Sequence, residues 1–145
     1  MKKRMSEKGL KLLEGYEGIR LVAYLDTAGV WTIGVGHTGP EVHEGMIATL
    51  EQVRKWLDED VREAEDAVNR AVKVALTQDM FDSLASFVFN LGATQFAKST
   101  LLRKLNAGDY VGAGKEFKRW VYSGGKVTPG LVKRRHSEAE AFLNA

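Results

Sequence analysis

The chain has 145 residues, of which 44% are hydrophobic and 28% charged, and it contains no cysteine. This length suits one domain or two small lobes that share a core. The lack of cysteine excludes disulfides and thiolate metal sites and fits a reducing cytoplasm. The formal net charge is only +2, yet residues 41–66 have nine acids and three bases, whereas residues 101–145 have nine bases and four acids. Such basic surfaces can face nucleic acid, anionic lipid or an anionic cell wall, or can simply be solvated helix surface.

The N-terminal residues do not have the pattern of a targeting segment. Met1 to Arg4 resembles the basic start of a signal peptide, but Glu7, Lys8 and Glu14 interrupt the stretch that would have to be apolar. No run approaches the ~18 apolar residues needed to span a membrane. We therefore expect no signal peptide and no transmembrane segment, and a protein that stays in the cytoplasm until something else releases it.

The first third of the chain predicts a short helix followed by a small sheet. Ser6 is placed to cap the helix, and Gly15 and Gly18 are expected to end it. From residue 19 to residue 37 apolar and polar residues alternate more closely and glycines recur, which predicts a short antiparallel sheet with tight turns. One such turn follows Asp26 and ends at Gly29.

A long helix is predicted after a loop at residues 40–46. Thr49 and Gln52 have the spacing of a capping box. Apolar residues then recur at helical period up to Val68, and we expect the helix to reach about Val72. This would be the longest element of the chain.

The remaining residues have the pattern of a helical bundle. We predict four helices: one from the cap Thr77 to Gly92, one around residues 101–105 with Gly108 as its stop, one over residues 109–120, and a last one that starts at Thr128 and Pro129 after a loop at residues 123–125.

These elements predict an α+β protein that is mostly helical. We expect a single domain over residues 1–145, with a small antiparallel β-lobe at about 17–48, a connecting helix at about 50–72, and a helical lobe at about 73–145 that includes the N-terminal helix. Two lobes joined by one helix would leave a cleft between them, where ligand sites usually lie.

Two carboxyl groups and a hydroxyl occur close together in the sequence. Glu17 lies at the predicted helix end, Asp26 on the adjoining sheet and Thr32 six residues later. Glycosidic hydrolysis uses one carboxylic acid to protonate the leaving oxygen and a second carboxylate to stabilise the sugar cation or to handle the nucleophile. A hydroxyl beside that second carboxylate can orient a water. On chemistry alone Glu14, one helical turn earlier, could replace Glu17 as the acid.

The same stretch resembles a known family. Its order of glutamate, eight residues, aspartate, five residues and threonine, followed by Thr32-Ile-Gly-Val-Gly-His37, is similar to the catalytic pattern of the phage-type lysozymes, glycoside hydrolase family 24. The stretches at 89–92, 99–103, 119–125 and 133–135 resemble the lambdoid endolysin branch, so the resemblance covers nearly the whole chain. Some lambdoid relatives have an N-terminal signal anchor, which we do not expect here.

The resemblance implies a lysozyme-like fold and a role for each site residue. Glu17 would be the general acid, Asp26 the second carboxylate, and Thr32 would help to position the water. The substrate would be the β-1,4 bond between N-acetylmuramic acid and N-acetylglucosamine in bacterial peptidoglycan, and the resemblance favours inversion. We expect a monomer that needs no cofactor or metal, binds no nucleic acid, has no stable membrane anchor, and remains in the host cytoplasm until it is released to the cell wall.

Three other functions fit parts of the sequence. A lytic transglycosylase on a related fold can work with one glutamate and substrate assistance, although the presence of Asp26 and Thr32 argues against it. A non-catalytic wall-binding module would not need Glu17, Asp26 and Thr32 together. Disruption of membranes by the basic last helix, with Lys133, Arg134 and Arg135, is the third possibility.

His37 and the tryptophans are the remaining candidates near the site. His37 has no second histidine or cysteine at ligand spacing, so we expect a structural ion pair rather than a metal site. Its expected partner is Asp60, which falls on the apolar face of the long helix. Pairing would raise the pKa of His37 and lower the pKa of Asp60. Trp56 occupies a core-facing position and is expected to be buried, whereas Trp31 and Trp120 could pack or stack on sugar.

Overall fold

The computed structural model describes residues 2–145 and contains seven α-helices, a 3-10 turn and two small antiparallel sheets within that range. The elements in chain order are α1 Glu7–Glu17, β1 Arg20–Leu25, β2 Trp31–Gly34, α2 Leu50–Ala71, α3 Gln78–Leu91, α4 Ala93–Lys98, α5 Thr100–Asn106, α6 Tyr110–Glu116, the 3-10 turn Phe117–Arg119, β3 Tyr122–Ser123, β4 Lys126–Val127 and α7 Pro129–Leu143. The mostly helical α+β class is therefore confirmed.

The chain divides into two compact units. Lys11–Arg62 forms one, which we call the sheet unit. Glu63–Ala145 forms the other together with the N-terminal residues up to Leu10, and we call it the helical unit. The division falls within α1 and α2, so each of these helices contributes residues to both units.

The sheet unit is built around β1 and β2, which pair antiparallel with Tyr24 opposite Thr32 and Leu25 opposite Trp31. The turn after Asp26 forms as predicted, since the Gly29 amide donates to the Asp26 carbonyl at 3.0 Å and glycine accommodates the φ of 78°. On the other side of β1, the residues before α2 add backbone hydrogen bonds, with a bridge between Val22 and Ile47.

The long helix α2 begins at the predicted cap. The Thr49 hydroxyl accepts from the Gln52 amide at 3.1 Å, and the helix runs for 22 residues, one short of the predicted end. Its apolar stripe is almost completely buried, as the helical period requires. The buried residues of this stripe are Val53, Leu57, Val61, Ala64, Ala67 and Val68.

The helical unit has an aromatic core. Helix α3, capped by Thr77 and closed by Gly92 as predicted, packs against α7. The ring of Phe87 contacts Phe117 at 5.1 Å and Phe96 at 6.5 Å between centroids, both edge to face. Such pairs stabilise by about 0.5–1.5 kcal/mol beyond their area burial.

Several predicted boundaries are wrong. Gly15 does not end α1, because the helix continues to Glu17 and only Gly18 adopts a positive φ of 79°. Helix α4 was not predicted, and the helix expected over residues 109–120 ends as α6 at Glu116 before a 3-10 turn. Residues 123–125, expected as loop, belong partly to a β3–β4 hairpin that the positive φ values of its two glycines make possible.

Two of the three residues in the basic run of the last helix, Arg134 and Arg135, are buried, whereas Lys133 is exposed. Arg134 is 6% exposed and Arg135 1% exposed, and both bind Glu138, which is also 1% exposed. Arg134 also donates to Ser86, and Arg135 donates to the Trp120 carbonyl at 2.9 Å. The membrane-disruption hypothesis therefore loses two of the three bases on which it depended. None of the helices within residues 2–145 is both long and apolar enough to cross a membrane.

Candidate active site

Glu17 is the last residue of α1 and is half-buried. The following Gly18 turns the chain out of the helix, and its amide donates to the Glu14 carbonyl at 2.8 Å. A methyl group added at Gly36 would lie 3.4 Å from Glu17 Oε1, so the backbone of the loop after β2 approaches this carboxyl group closely. A carboxyl at a helix end, held partly out of water, is suited to general acid work.

Asp26 is fixed by the turn between the strands. Its Oδ1 accepts from the amides of Ala28 at 2.8 Å and Val30 at 2.9 Å, and its own amide donates to the Val30 carbonyl at 3.0 Å. Its second oxygen, Oδ2, accepts no hydrogen bond from residues 2–145. The carboxylate thus has a fixed orientation and one oxygen available for a sugar or a water.

Thr32 lies on β2 and is 4% exposed. Its hydroxyl donates to the Val30 carbonyl at 2.9 Å, the same carbonyl that accepts from the Asp26 amide. Because that hydrogen bond uses the single proton of the hydroxyl, the oxygen remains an acceptor for a water. Asp26 and Thr32 are therefore joined through one backbone carbonyl.

All three predicted catalytic residues lie in the sheet unit. Thr32 is followed by the loop at residues 34–36, and Gly36 in that loop is the point that approaches Glu17. Glu14, the alternative acid, instead lies 3.7 Å from the guanidinium of Arg54 on α2 and is an ion-pair partner there.

His37 has a carboxylate on each ring nitrogen. Nδ1 lies 2.7 Å from Asp60 Oδ2, which confirms the predicted ion pair, and Nε2 lies 2.8 Å from Glu41 Oε1, which was not predicted. The ring also stacks on Trp56 with centroids 4.6 Å apart and planes 3° apart. Trp56 is half-buried rather than buried as predicted, and one face of its ring covers this histidine.

The pKa values of this cluster follow from burial and charge. Burial of His37 is the largest single influence and lowers its pKa, but the hydrogen bonds and charges of Asp60 and Glu41 together outweigh it and raise the pKa above its ordinary value. The prediction that the pKa of Asp60 is lowered is wrong: burial raises it, and His37 only partly compensates. The pKa of Glu41 is lowered, first by its own backbone amide and then by His37.

The helical unit has a pocket that sequence reasoning did not find. It has a volume of about 450 Å³ and is lined by residues that include Trp120, Tyr122, Asn90 and Arg135. Trp120 packs edge to face on Phe87 and also lines this pocket, so it contributes to both the core and a surface. No signal in the sequence indicated that these residues lie together, because they come from α3, the residue after the 3-10 turn, the β3–β4 hairpin and α7.

The two units differ in charge. The sheet unit has nine acids and five bases, a net charge of −4, and the helical unit has sixteen bases and ten acids, a net charge of +6. Four of those ten acids but only two of the sixteen bases are buried, so fourteen bases and six acids lie at the surface of the helical unit. Within the described residues no cluster of three or more histidine and carboxylate side chains is placed to hold a metal ion.

Comparison with known proteins agrees with this architecture. The model of the family described as phage lysozyme matches residues 14–138. The chain is 48% identical to an endolysin of Acyrthosiphon pisum secondary endosymbiont phage 1, over 97% of this chain and 99% of that protein. It is 44% identical to an endolysin of Bacillus phage B103 over 96% of this chain, but spans only 54% of that longer protein.

Solved structures give the same result. A mutant of P22 lysozyme superimposes with a TM-score of 0.90 at 40% identity, covering 97% of this chain and 99% of that one. The muramidase domain of SpmX from Asticaccaulis excentricus also gives a TM-score of 0.90, at 36% identity and 97% coverage of both chains. The fold is therefore that of a lysozyme, a hydrolase of glycosidic bonds. The chain belongs to the phage lysozyme family.

Proposed function

We propose that Glu17, Asp26 and Thr32 are the residues with which this endolysin-type muramidase hydrolyses the β-1,4 bond between N-acetylmuramic acid and N-acetylglucosamine. The observation that best supports the assignment is the shared Val30 carbonyl, which holds the Asp26 backbone and the Thr32 hydroxyl together. The approach of Gly36 to Glu17 also supports the assignment, because Gly36 belongs to the loop that follows β2, the strand of Thr32.

In this mechanism Glu17 protonates the leaving glycosidic oxygen. Asp26, with Oδ1 held by two amides, uses Oδ2 to stabilise positive charge on the sugar and to take a proton from the attacking water. Thr32, whose hydroxyl proton is used by Val30, accepts a hydrogen bond from that water and orients it. Attack by water on the face opposite the leaving group would invert the anomeric carbon.

The test compares two glutamates of the same helix. Glu17→Gln removes the proton donor but keeps the shape, and should slow the clearing of permeabilised Gram-negative cells by at least the ~10²–10⁴-fold that general acid catalysis contributes. Glu14→Gln is the matched control and should retain activity. If Glu14→Gln is inactive and Glu17→Gln clears cells like the unmodified protein, the assignment is wrong.

A lytic transglycosylase is the alternative reaction. It would release an anhydro-muramic acid end without using water, whereas hydrolysis gives a reducing end. Mass spectrometry of the products distinguishes them by one water, and incubation in ¹⁸O-labelled water should label the hydrolysis product at the anomeric carbon.

Release from the host cytoplasm to the wall and a monomeric state are further parts of the proposal. Expression of the protein alone should leave cells intact until the membrane is permeabilised, after which they should lyse. Sedimentation at micromolar concentration should give the mass of one chain, 16.1 kDa.

A further inference from the structure

The loop between β2 and His37 is closed at its base, and Gly36 in this loop lies close to the Glu17 carboxyl group. Ile33 and His37 exchange two backbone hydrogen bonds of 2.9 Å, which enclose Gly34, Val35 and Gly36. Both glycines have φ values near +67°, a conformation that other residues rarely adopt. Val35 is 2% exposed, so the loop is anchored from inside as well.

Three contacts fix His37, and with it the base of this loop. Asp60 and Glu41 each bind one ring nitrogen, and Trp56 covers one face of the ring. A neutral imidazole can donate from only one nitrogen, so two carboxylate partners favour the doubly protonated ring. Asp60 and Trp56 are four residues apart on α2, so His37 connects the loop to the most regular element of the sheet unit.

We infer that His37, together with Asp60 and Glu41, is a positioning residue for hydrolysis, because it fixes the loop on which the Glu17 carboxyl rests. This inference depends on the proposed role of Glu17. Few contacts separate His37 from Glu17. Both ring nitrogens of His37 are bound, and its backbone closes the loop. The preceding residue, Gly36, lies against Glu17. Misplacement of a catalytic group by about 1 Å can cost on the order of 10²-fold in rate, so a loosened loop should be measurable in kcat.

The experiment uses the full chain, soluble glycan strands and two variants. His37→Gln should lower kcat by about tenfold or more with little change in KM, and should change the dependence of kcat/KM on pH. Glu41→Gln should also lower kcat and change the pH dependence of kcat/KM in the same direction as His37→Gln, but by a smaller amount. Glu41 is half exposed, and surface substitutions of this kind change stability little, so unfolding does not explain an effect there.

Val61→Ala is the control for lost stability. Val61 is 2% exposed on α2, and its truncation destabilises the fold without removing any of the contacts to His37. It should keep the kcat and the pH profile of the unmodified protein at a temperature where all variants are folded. If His37→Gln and Glu41→Gln behave like Val61→Ala while Glu17→Gln is inactive, the positioning role is wrong and the proposed function stands. If Glu17→Gln is active, the proposed function itself fails.

Discussion

Asp82 on α3 accepts hydrogen bonds from both the backbone amide and the hydroxyl of Ser6, the residue that caps α1. Asp82 is 6% exposed, and its side chain lies directly against Gly9. A Cβ atom at Gly9 would be 2.5 Å from Asp82 Cγ, closer than atoms can approach. Position 9, in the first turn of α1, therefore requires glycine, because the buried Asp82 carboxylate occupies the space that a side chain there would need.

This relationship predicts opposite effects for two glycine substitutions in one helix. Alanine is normally the better helix former by about 1 kcal/mol. Gly15→Ala should stabilise by up to that amount, because nothing lies within 4 Å of the new methyl group. Gly9→Ala should destabilise by about 1–3 kcal/mol, because it displaces Asp82. Urea unfolding of both variants measures the difference, and a stabilised Gly9→Ala would contradict the prediction.

Local sequence signals predicted the caps and the turn but not the polar interior. Thr49, Thr77 and Asp26 act through neighbours two to four residues away, so their spacing alone is informative. The His37–Asp60 contact was also predictable, because helical period placed Asp60 on the apolar face. Asp82 binds Ser6 and Arg135 binds Asn90 across 45 or more residues, and although Arg135 also pairs with Glu138 three residues on, nothing in the local pattern distinguishes a buried ion pair from a solvated one.

The buried ion network of α7 predicts a large cost for one carboxylate. Glu138 binds Arg134 at 3.2 Å and Arg135 at 2.7 Å, and its Oε2 also accepts from the Ser86 hydroxyl at 2.6 Å. Removing one partner of a buried pair leaves uncompensated charge and typically costs about 3–5 kcal/mol. Glu138→Gln should lower the free energy of unfolding by that order. Glu140→Gln, two residues later and exposed, should change it by less than about 0.5 kcal/mol, and equal effects of the two would exclude the network as a source of stability.

The raised pKa of His37 predicts that stability falls as pH rises above the unfolded value of about 6.5. The pKa of His37 is raised, so its contribution is complete below the unfolded value of about 6.5 and is lost as pH rises through the folded value. The pKa of Asp60 is also raised, which means that ionising this carboxyl group is less favourable in the folded protein than in the unfolded chain. Protonation of Asp60 at low pH therefore does not reduce the free energy of unfolding. Of these three groups, Glu41 alone has a lowered pKa, so its contribution to stability is lost as pH falls through its folded pKa.

The corresponding measurement is an NMR titration of His37 beside urea unfolding at several pH values. Asp60→Asn should lower the pKa of His37, because burial then opposes the charged ring with only Glu41 as a carboxylate partner. Asp58→Asn, at an exposed position on the same helix, should leave the His37 titration unchanged. An unchanged titration in Asp60→Asn would mean that Asp60 does not determine the charge of His37.

The charge of the helical unit predicts that lysis slows as salt rises. Peptidoglycan contains carboxylates, and this unit presents fourteen bases and six acids at its surface. Attraction between exposed charges weakens as the Debye length shrinks from ~10 Å at 0.1 M to ~3 Å at 1 M. KM for wall fragments should therefore increase with salt while kcat changes little, and a KM that is independent of salt would argue against electrostatic attraction.

The hydroxyl of Thr32 provides the sharpest test of how water is used. Thr32→Val keeps the shape but removes the acceptor for the attacking water, and should reduce kcat by about 10²-fold. Stability should fall by only about 0.5–1.5 kcal/mol, because the Val30 carbonyl still accepts from the Asp26 amide. Thr32→Ser is the matched control: it restores the hydroxyl and should recover most of the rate. If Thr32→Val is fully active, the hydroxyl does not orient the water, and an anhydro-sugar product from that variant would assign the chain to the transglycosylase reaction instead.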